Sequence, residues 1–171
     1  MTLKFTRWFA KVQAKENEQR GSRTLASKTA LWTLRDGSVT KEVHMIVGTG
    51  VDIVETSRIQ RVFERHGDRF ARRLFTSDEI AYCERFKNKA ERYAARFAAK
   101  EAAFKALGTG WREGVRWIDV EVTHQPSGKP DLVLKGRAQE LAQALGVTQV
   151  ALSISHADRF ALAHVIFEGN E

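Results

Sequence analysis

Arg96-Phe97-Ala98-Ala99-Lys100-Glu101-Ala102-Ala103-Phe104-Lys105-Ala106-Leu107-Gly108-Thr109-Gly110 reads as the C-terminal half of a strong helix followed by its stop signal. Alanine, lysine, glutamate and leucine are good helix formers. Gly108 stands where a left-handed residue closes a helix, and Gly110 keeps the next turn open. Phe97, Phe104 and Leu107 fall close to one face, which predicts a core side. Glu101 lies at the margin of that face, and Lys105 lies one turn further along it. A carboxylate and an ammonium are thus set beside a packed surface, next to a glycine loop. Taken alone they read as a solvated i,i+4 pair contributing only about 0.3–0.5 kcal/mol. Any larger role has to come from other segments.

Upstream, the helix carrying Glu101 is expected to start at Asn88. Thr76-Ser77-Asp78-Glu79 has the form of a capping box opening a helix to about Phe86, with Ile80 and Tyr82 toward the core. Cys83 within it reads as a small buried filler, since no basic surroundings activate it. A helix over 55–66 has Ile59, Val62 and Phe63 as its apolar face, with Arg58, Arg61 and Arg65 as a basic stripe alongside. Such a stripe is either a solvated face or a receiver for an acidic helix or a phosphate. Residues 46–54, Ile46-Val47-Gly48-Thr49-Gly50-Val51-Asp52-Ile53-Val54, read as a buried strand. Its glycines mark a bulge or a close backbone approach. They form no dinucleotide fingerprint, because Ile53 occupies the third glycine position. Asp52 between Val51 and Ile53 is costly to bury unless paired or metal-bound. Capping the next helix is its other reading, although Thr56 or Ser57 would serve for that.

Downstream, 116–124 alternates as a half-buried strand, 125–130 is a Pro/Gly turn, and 132–134 returns. Pro130 confines its strand to an edge or a first position. A helix over 137–145 ends at Gly146, and strands follow at 150–155 and 160–167. His156, at the end of the first of these, reads as structural when taken alone. The pattern predicts an α+β domain over 46–167. In it the 88–107 helix packs on an antiparallel sheet built from 46–54, 117–123, 150–155 and 160–167.

The 171 residues are enough for one domain with an appendage. No apolar run approaches the ~20 residues that span a bilayer, so no membrane partner is expected. Cys83 is the only cysteine, which excludes an intrachain disulfide and zinc-finger spacing and points to the cytoplasm. Of the net charge of +7, residues 1–44 carry nine Lys/Arg against four Asp/Glu, and 45–171 retain only +2. The folded part is therefore nearly balanced, which argues against a nucleic-acid partner. Residues 3–16 would make a basic helix with Phe5, Trp8, Phe9 and Val12 roughly on one side, as in a membrane-surface element or a transit peptide. Glu16 and Glu18 fit a transit peptide poorly. Met45 opens the first strongly patterned segment, so 1–44 is expected to be a dispensable extension and 45–171 the working domain.

Strand-borne Asp52, helix-borne Glu101 with Lys105, and strand-end His156 are polar points on apolar elements. Two carboxylates from different elements suit a hard divalent cation such as Mg2+, which typically adds substrate phosphates and water. A nearby lysine and glycine loop suit pyrophosphate.

Four ordered blocks then become specific: Val47-Gly48-Thr49-Gly50-Val51-Asp52-Ile53-Val54, Arg96 through Gly110, Gly128-Lys129-Pro130, and Ser153-Ile154-Ser155-His156. They resemble the holo-acyl-carrier-protein synthase family, the short type of 4′-phosphopantetheinyl transferase, across 45–171. The resemblance implies that the 4′-phosphopantetheine arm of coenzyme A passes to a serine of apo-acyl carrier protein, leaving adenosine 3′,5′-bisphosphate. It places the metal carboxylates on Asp52 and Glu101, and a lysine near the coenzyme phosphates on Lys105. These three form the catalytic set. It places His156 near the nucleotide end, and Arg96 with Gly128, Lys129 and Pro130 in coenzyme-binding segments. Arg58, with Arg61 and Arg65 beside it, falls where the family meets the acidic helix of the carrier. A homotrimer with sites between subunits is implied as well. Whether Glu101 or a metal-bound water takes the serine proton stays open at this level.

Overall fold

The computed structural model describes residues 44–109, 114–157 and 159–170. The expectations for residues 1–43 and for Gly110 lie outside them. The elements run β1 (His44–Glu55), α1 (Thr56–Leu74), α2 (Ser77–Cys83) and α3 (Lys89–Ala106). A 3-10 turn (Trp117–Asp119), β2 (Val120–His124), β3 (Pro130–Leu134), α4 (Gly136–Ala144), β4 (Val147–Ala157) and β5 (Phe160–Asn170) complete the order. Among the described residues no helix is long and apolar enough to cross a membrane.

β1, β5 and β4 form one antiparallel sheet in that order, and α3 packs across it. The α+β expectation holds, but its sheet membership needs correction. The segment predicted as a strand over 117–123 does not join the sheet. It opens as the 3-10 turn, and β2 then pairs only with β3 as a separate hairpin. The reason lies in Asp119, whose buried carboxylate accepts from the Arg116 backbone N–H at 2.9 Å and from the Arg116 guanidinium at 2.7 Å. The Asp119 carbonyl accepts from the Lys135 N–H at 2.7 Å. These bonds turn the chain away before it can extend. Pro130 opens β3, and Gly128 turns the hairpin at φ 83°.

α3 also differs from its prediction. It is buried on nearly every side and not on one apolar face, because Ala94, Ala95, Ala98, Ala99, Ala102, Ala103 and Ala106 admit neighbours all round it. β1 lies directly on its backbone. A Cβ at Gly50 would fall 2.0 Å from the Ala102 carbonyl oxygen, and one at Gly48 would fall 2.3 Å from that of Ala106. Only glycine permits that approach. α1 runs on to Leu74, past the predicted end at 66, with a kink at Gly67 (φ 50°). The capping box of α2 forms as read: Thr76 Oγ1 accepts from the Glu79 N–H, and Glu79 Oε2 accepts from the Thr76 N–H at 2.9 Å. Burial of Cys83 pushes its thiol up to about 11, in keeping with an inert filler.

Candidate active site

Alternation along β1 turns Gly48, Gly50, Asp52 and Val54 toward α3, and leaves Val51 and Ile53 on the opposite face. The glycines bring the strand down, so Asp52 lands beside the last turns of α3. There its Oδ1 accepts from Lys105 Nζ at 2.9 Å. The same ammonium donates to the Val51 carbonyl at 2.8 Å. Lys105 therefore pairs with the strand carboxylate, not with Glu101 as an i,i+4 partner. Asp52 caps no helix either: β1 continues to Glu55, which precedes α1 without a side-chain cap, and Ser57 donates to the Glu55 carboxylate at 2.7 Å.

Glu101 is half-buried one turn before Lys105. Burial raises its carboxyl above the ordinary value, and the Asp52 charge adds to the rise. Lys105 and Arg58 oppose it. Two carboxylates from different elements thus feel one another, with a lysine and an arginine in range. Among the described residues no third histidine, cysteine or carboxylate joins them into a metal-binding group. Arg58 and Arg65 stand exposed on α1, and the exposed Arg61 donates to Ser57 Oγ at 3.0 Å.

Of the other predicted coenzyme residues, only Arg96 lies on α3. Arg96 is buried, its guanidinium carbon 4.0 Å from the centre of the Tyr82 ring. Its Nη1 donates weakly to the Arg92 carbonyl at 3.5 Å, and its buried Nε has no partner among the described residues. His124, the last residue of β2, stacks on Tyr82 with ring centres 4.6 Å apart and planes at 15°. Burial lowers the pKa of His124, and Arg96, Arg85 and Arg92 lower it further. Gly128 and Lys129 are exposed at the hairpin tip, and Pro130 is half-buried behind them. His156 places Nε2 3.8 Å from Glu91 Oε1, in the first turn of α3. Ten residues separate Glu91 from Glu101, about 15 Å along a helix. One chain therefore gathers Asp52, Glu101, Lys105 and Arg58, and does not bring His156 to them.

Reading the sequence missed a buried ionic network. Lys100 is fully enclosed, and its ammonium meets Glu79 Oε2 at 2.8 Å, the Trp117 carbonyl at 3.0 Å and the Val120 carbonyl. Burial lowers the pKa of Lys100, and Glu79 works against that. Glu79 Oε1 accepts from the Val122 N–H at 3.0 Å. Glu121 accepts from Thr76 Oγ1 at 2.7 Å and from Lys135. The available signal was the position of Lys100 among alanines that proved to be core.

A model of the 4′-phosphopantetheinyl transferase superfamily matches residues 48–163. The holo-[acyl-carrier-protein] synthase of Solibacter usitatus is 60% identical over 124 residues, covering 72% of this chain and 99% of that protein. Among solved structures, the holo-[acyl-carrier-protein] synthase of Neisseria meningitidis aligns with a TM-score of 0.66 at 36% identity, over 72% of this chain and 98% of the other. That of Bacillus anthracis, solved in complex with CoA (3′,5′-ADP), aligns with a TM-score of 0.61 at 38% identity, over 73% and 98%.

Proposed function

The chain belongs to the 4′-phosphopantetheinyl transferase superfamily, and from that premise we propose that it transfers the 4′-phosphopantetheine group of coenzyme A to a serine of apo-acyl carrier protein. The carrying observation is the meeting of Asp52, Glu101 and Lys105 where β1 crosses α3. The relatives' names and the coenzyme in the Bacillus anthracis structure support the substrates.

The serine oxygen forms a bond to the phosphorus bearing the pantetheine arm. The bond from that phosphorus to the adenosine-side phosphate breaks, and adenosine 3′,5′-bisphosphate leaves. Asp52 and Glu101 fit Mg2+: both are oxygen donors, they come from different elements, and their mutual repulsion favours a shared cation. Mg2+ held there would supply charge neutralisation at the pyrophosphate. Lys105 adds a positive charge that can pass from Asp52 to the departing phosphate. The serine proton passes to Glu101 directly or to a water beside it. Transfer of this kind depends mainly on positioning and charge stabilisation, which this set provides.

Arg96, the Gly128-Lys129-Pro130 tip and His156 are assigned to the coenzyme, and Arg58, Arg61 and Arg65 to the acidic face of the carrier. The separation of His156 from Glu101 within one chain supports sites completed between subunits. Val51 (53% exposed), Ile53 (61%), Phe160 (41%) and Leu162 (37%) share the outer face of the sheet, an apolar surface suited to the proposed trimer. The cytoplasm is the proposed location, in keeping with the single cysteine.

Intact-mass spectrometry of apo-acyl carrier protein after incubation with the full chain, coenzyme A and Mg2+ tests the reading. A gain of one phosphopantetheine, absent for a carrier lacking its acceptor serine, is expected. An unmodified carrier would overturn it.

A further inference from the structure

Among the described residues, Tyr82 meets Phe86, Arg85, Arg96 and His124 through its ring. The Arg96 guanidinium carbon lies 4.0 Å from the ring centre, that of Arg85 lies 4.9 Å from it, and His124 stacks at 4.6 Å. The ring thus joins three parts of the fold. Tyr82 is in α2, Arg96 is in the middle of α3, and His124 ends β2 just before the turn that carries Gly128 and Lys129. The ring is therefore the joint between the helix bearing Arg96 and the hairpin tip.

The joint holds a guanidinium that its own surroundings leave under-satisfied. Arg96 is 3% exposed, its Nε is unpartnered, and its hydrogen bond to the Arg92 carbonyl is long. Among the described residues, no carboxylate forms a salt bridge with Arg85, Arg92 or Arg96. A buried cation without a counter-ion is costly, and it is held here by an aromatic face in place of an acid. An aromatic face orients a guanidinium without neutralising it, whereas a carboxylate would do both. The arrangement leaves the full charge for an anionic ligand.

We propose that Tyr82 is a positioning residue for coenzyme binding, its ring fixing the Arg96 guanidinium and, through the His124 stack, the Gly128–Pro130 tip as one unit. This rests on the assignment of Arg96 and the tip to coenzyme A. The ring itself touches no reacting atom. Its loss is felt in coenzyme affinity and not in the turnover step at Asp52, Glu101 and Lys105.

Calorimetric titration of the full-length protein with coenzyme A, together with steady-state kinetics and thermal melts, tests the proposal. Tyr82→Leu is expected to weaken coenzyme binding about tenfold, the order set by a desolvated cation–π contact. KM for coenzyme A rises with it, while kcat and KM for the carrier hold. Tyr82→Phe, which keeps the ring, restores wild-type affinity. In Tyr82→Leu/Arg96→Met the two losses fail to add, because both act through one guanidinium. Should Tyr82→Leu not fold, exposed His124 decides: His124→Ala weakens coenzyme binding and His124→Phe does not. A folded Tyr82→Leu or His124→Ala protein that binds within twofold of wild type would overturn the proposal, as would fully additive losses or an equal fall in kcat. Wild-type protein that fails to bind coenzyme A would overturn the coenzyme assignment as well, which separates the two failures.

Discussion

Lys100 and Glu101 are neighbours in sequence with opposite fates, one enclosed among carbonyls and a carboxylate, the other facing Asp52. A one-residue step turns a helix by about 100°, so adjacent side chains serve different surroundings. The network around Lys100 extends to Glu121, which makes a pH-dependent contribution to stability. Burial alone would raise the Glu121 carboxyl, but the bonds from Lys135 and Thr76 override it and hold the group below its ordinary 4.5. A carboxyl depressed in the folded state contributes stability that is present above 4.5 and lost as pH falls through the depressed value. Glu121→Gln should therefore melt lower than wild type at neutral pH, and the gap should narrow as pH falls below 4.5. Melts across that range check it, and a gap independent of pH would contradict it. None of this was legible beforehand. The capping box announced Glu79, yet only the fold brings Lys100 and Glu121 to it, from positions 21 and 42 residues away.

At the scale of elements, the β1–α3 crossing organises the site. Gly50→Ala sets a methyl against the Ala102 carbonyl. It should destabilise the protein by on the order of 1–3 kcal/mol, the usual cost of overpacking, and lower turnover by displacing Asp52. Denaturant melts and assays of the same preparation measure both effects. α1 carries the exposed arginines assigned to the carrier. Arg58→Glu is expected to raise KM for the carrier at least tenfold while coenzyme binding stays near wild type, with the wild-type carrier dependence weakening in salt. Equal losses for both substrates would point to a defect near Glu101 instead. The two elements differ in how openly the sequence declared them. Gly48 and Gly50 inside a β-branched run signalled a close approach, and Gly108 signalled the end of α3, because each is a local backbone requirement. The pairing of Lys105 with Asp52 was hidden, because 53 residues separate them and a local partner stood one turn away. The strand over 117–123 was misplaced for a similar reason. Its alternation is real, but alternation does not say which sheet a strand joins, and the Asp119 turn decides that.

For the whole molecule, the Solibacter usitatus relative aligns over 124 residues at 99% of its own length. Removing residues 1–44 should therefore leave coenzyme binding, turnover and melting temperature near those of the full chain. Loss of turnover in the shortened protein would assign the leader a working role. The proposed assembly, in which neighbouring copies complete each site, rests on the apolar outer face of the sheet and on His156 of β4 meeting Glu91 at the far end of the helix from Glu101. On the proposed reading Asp52 and Glu101 hold the metal, and their charge couples the coenzyme to the protein. Ligand linkage tests it most directly, since a bound ligand raises the melting temperature in proportion to its affinity for the folded state. Thermal melts of wild type, Asp52→Asn and Glu101→Gln, with and without Mg2+ plus coenzyme A, are the measurement. Wild type is predicted to gain stability with the pair of ligands. Both amide variants should fold, lose most of that gain and lose nearly all turnover. An Asp52→Asn protein that kept the full ligand-induced rise and still modified the carrier would contradict the account.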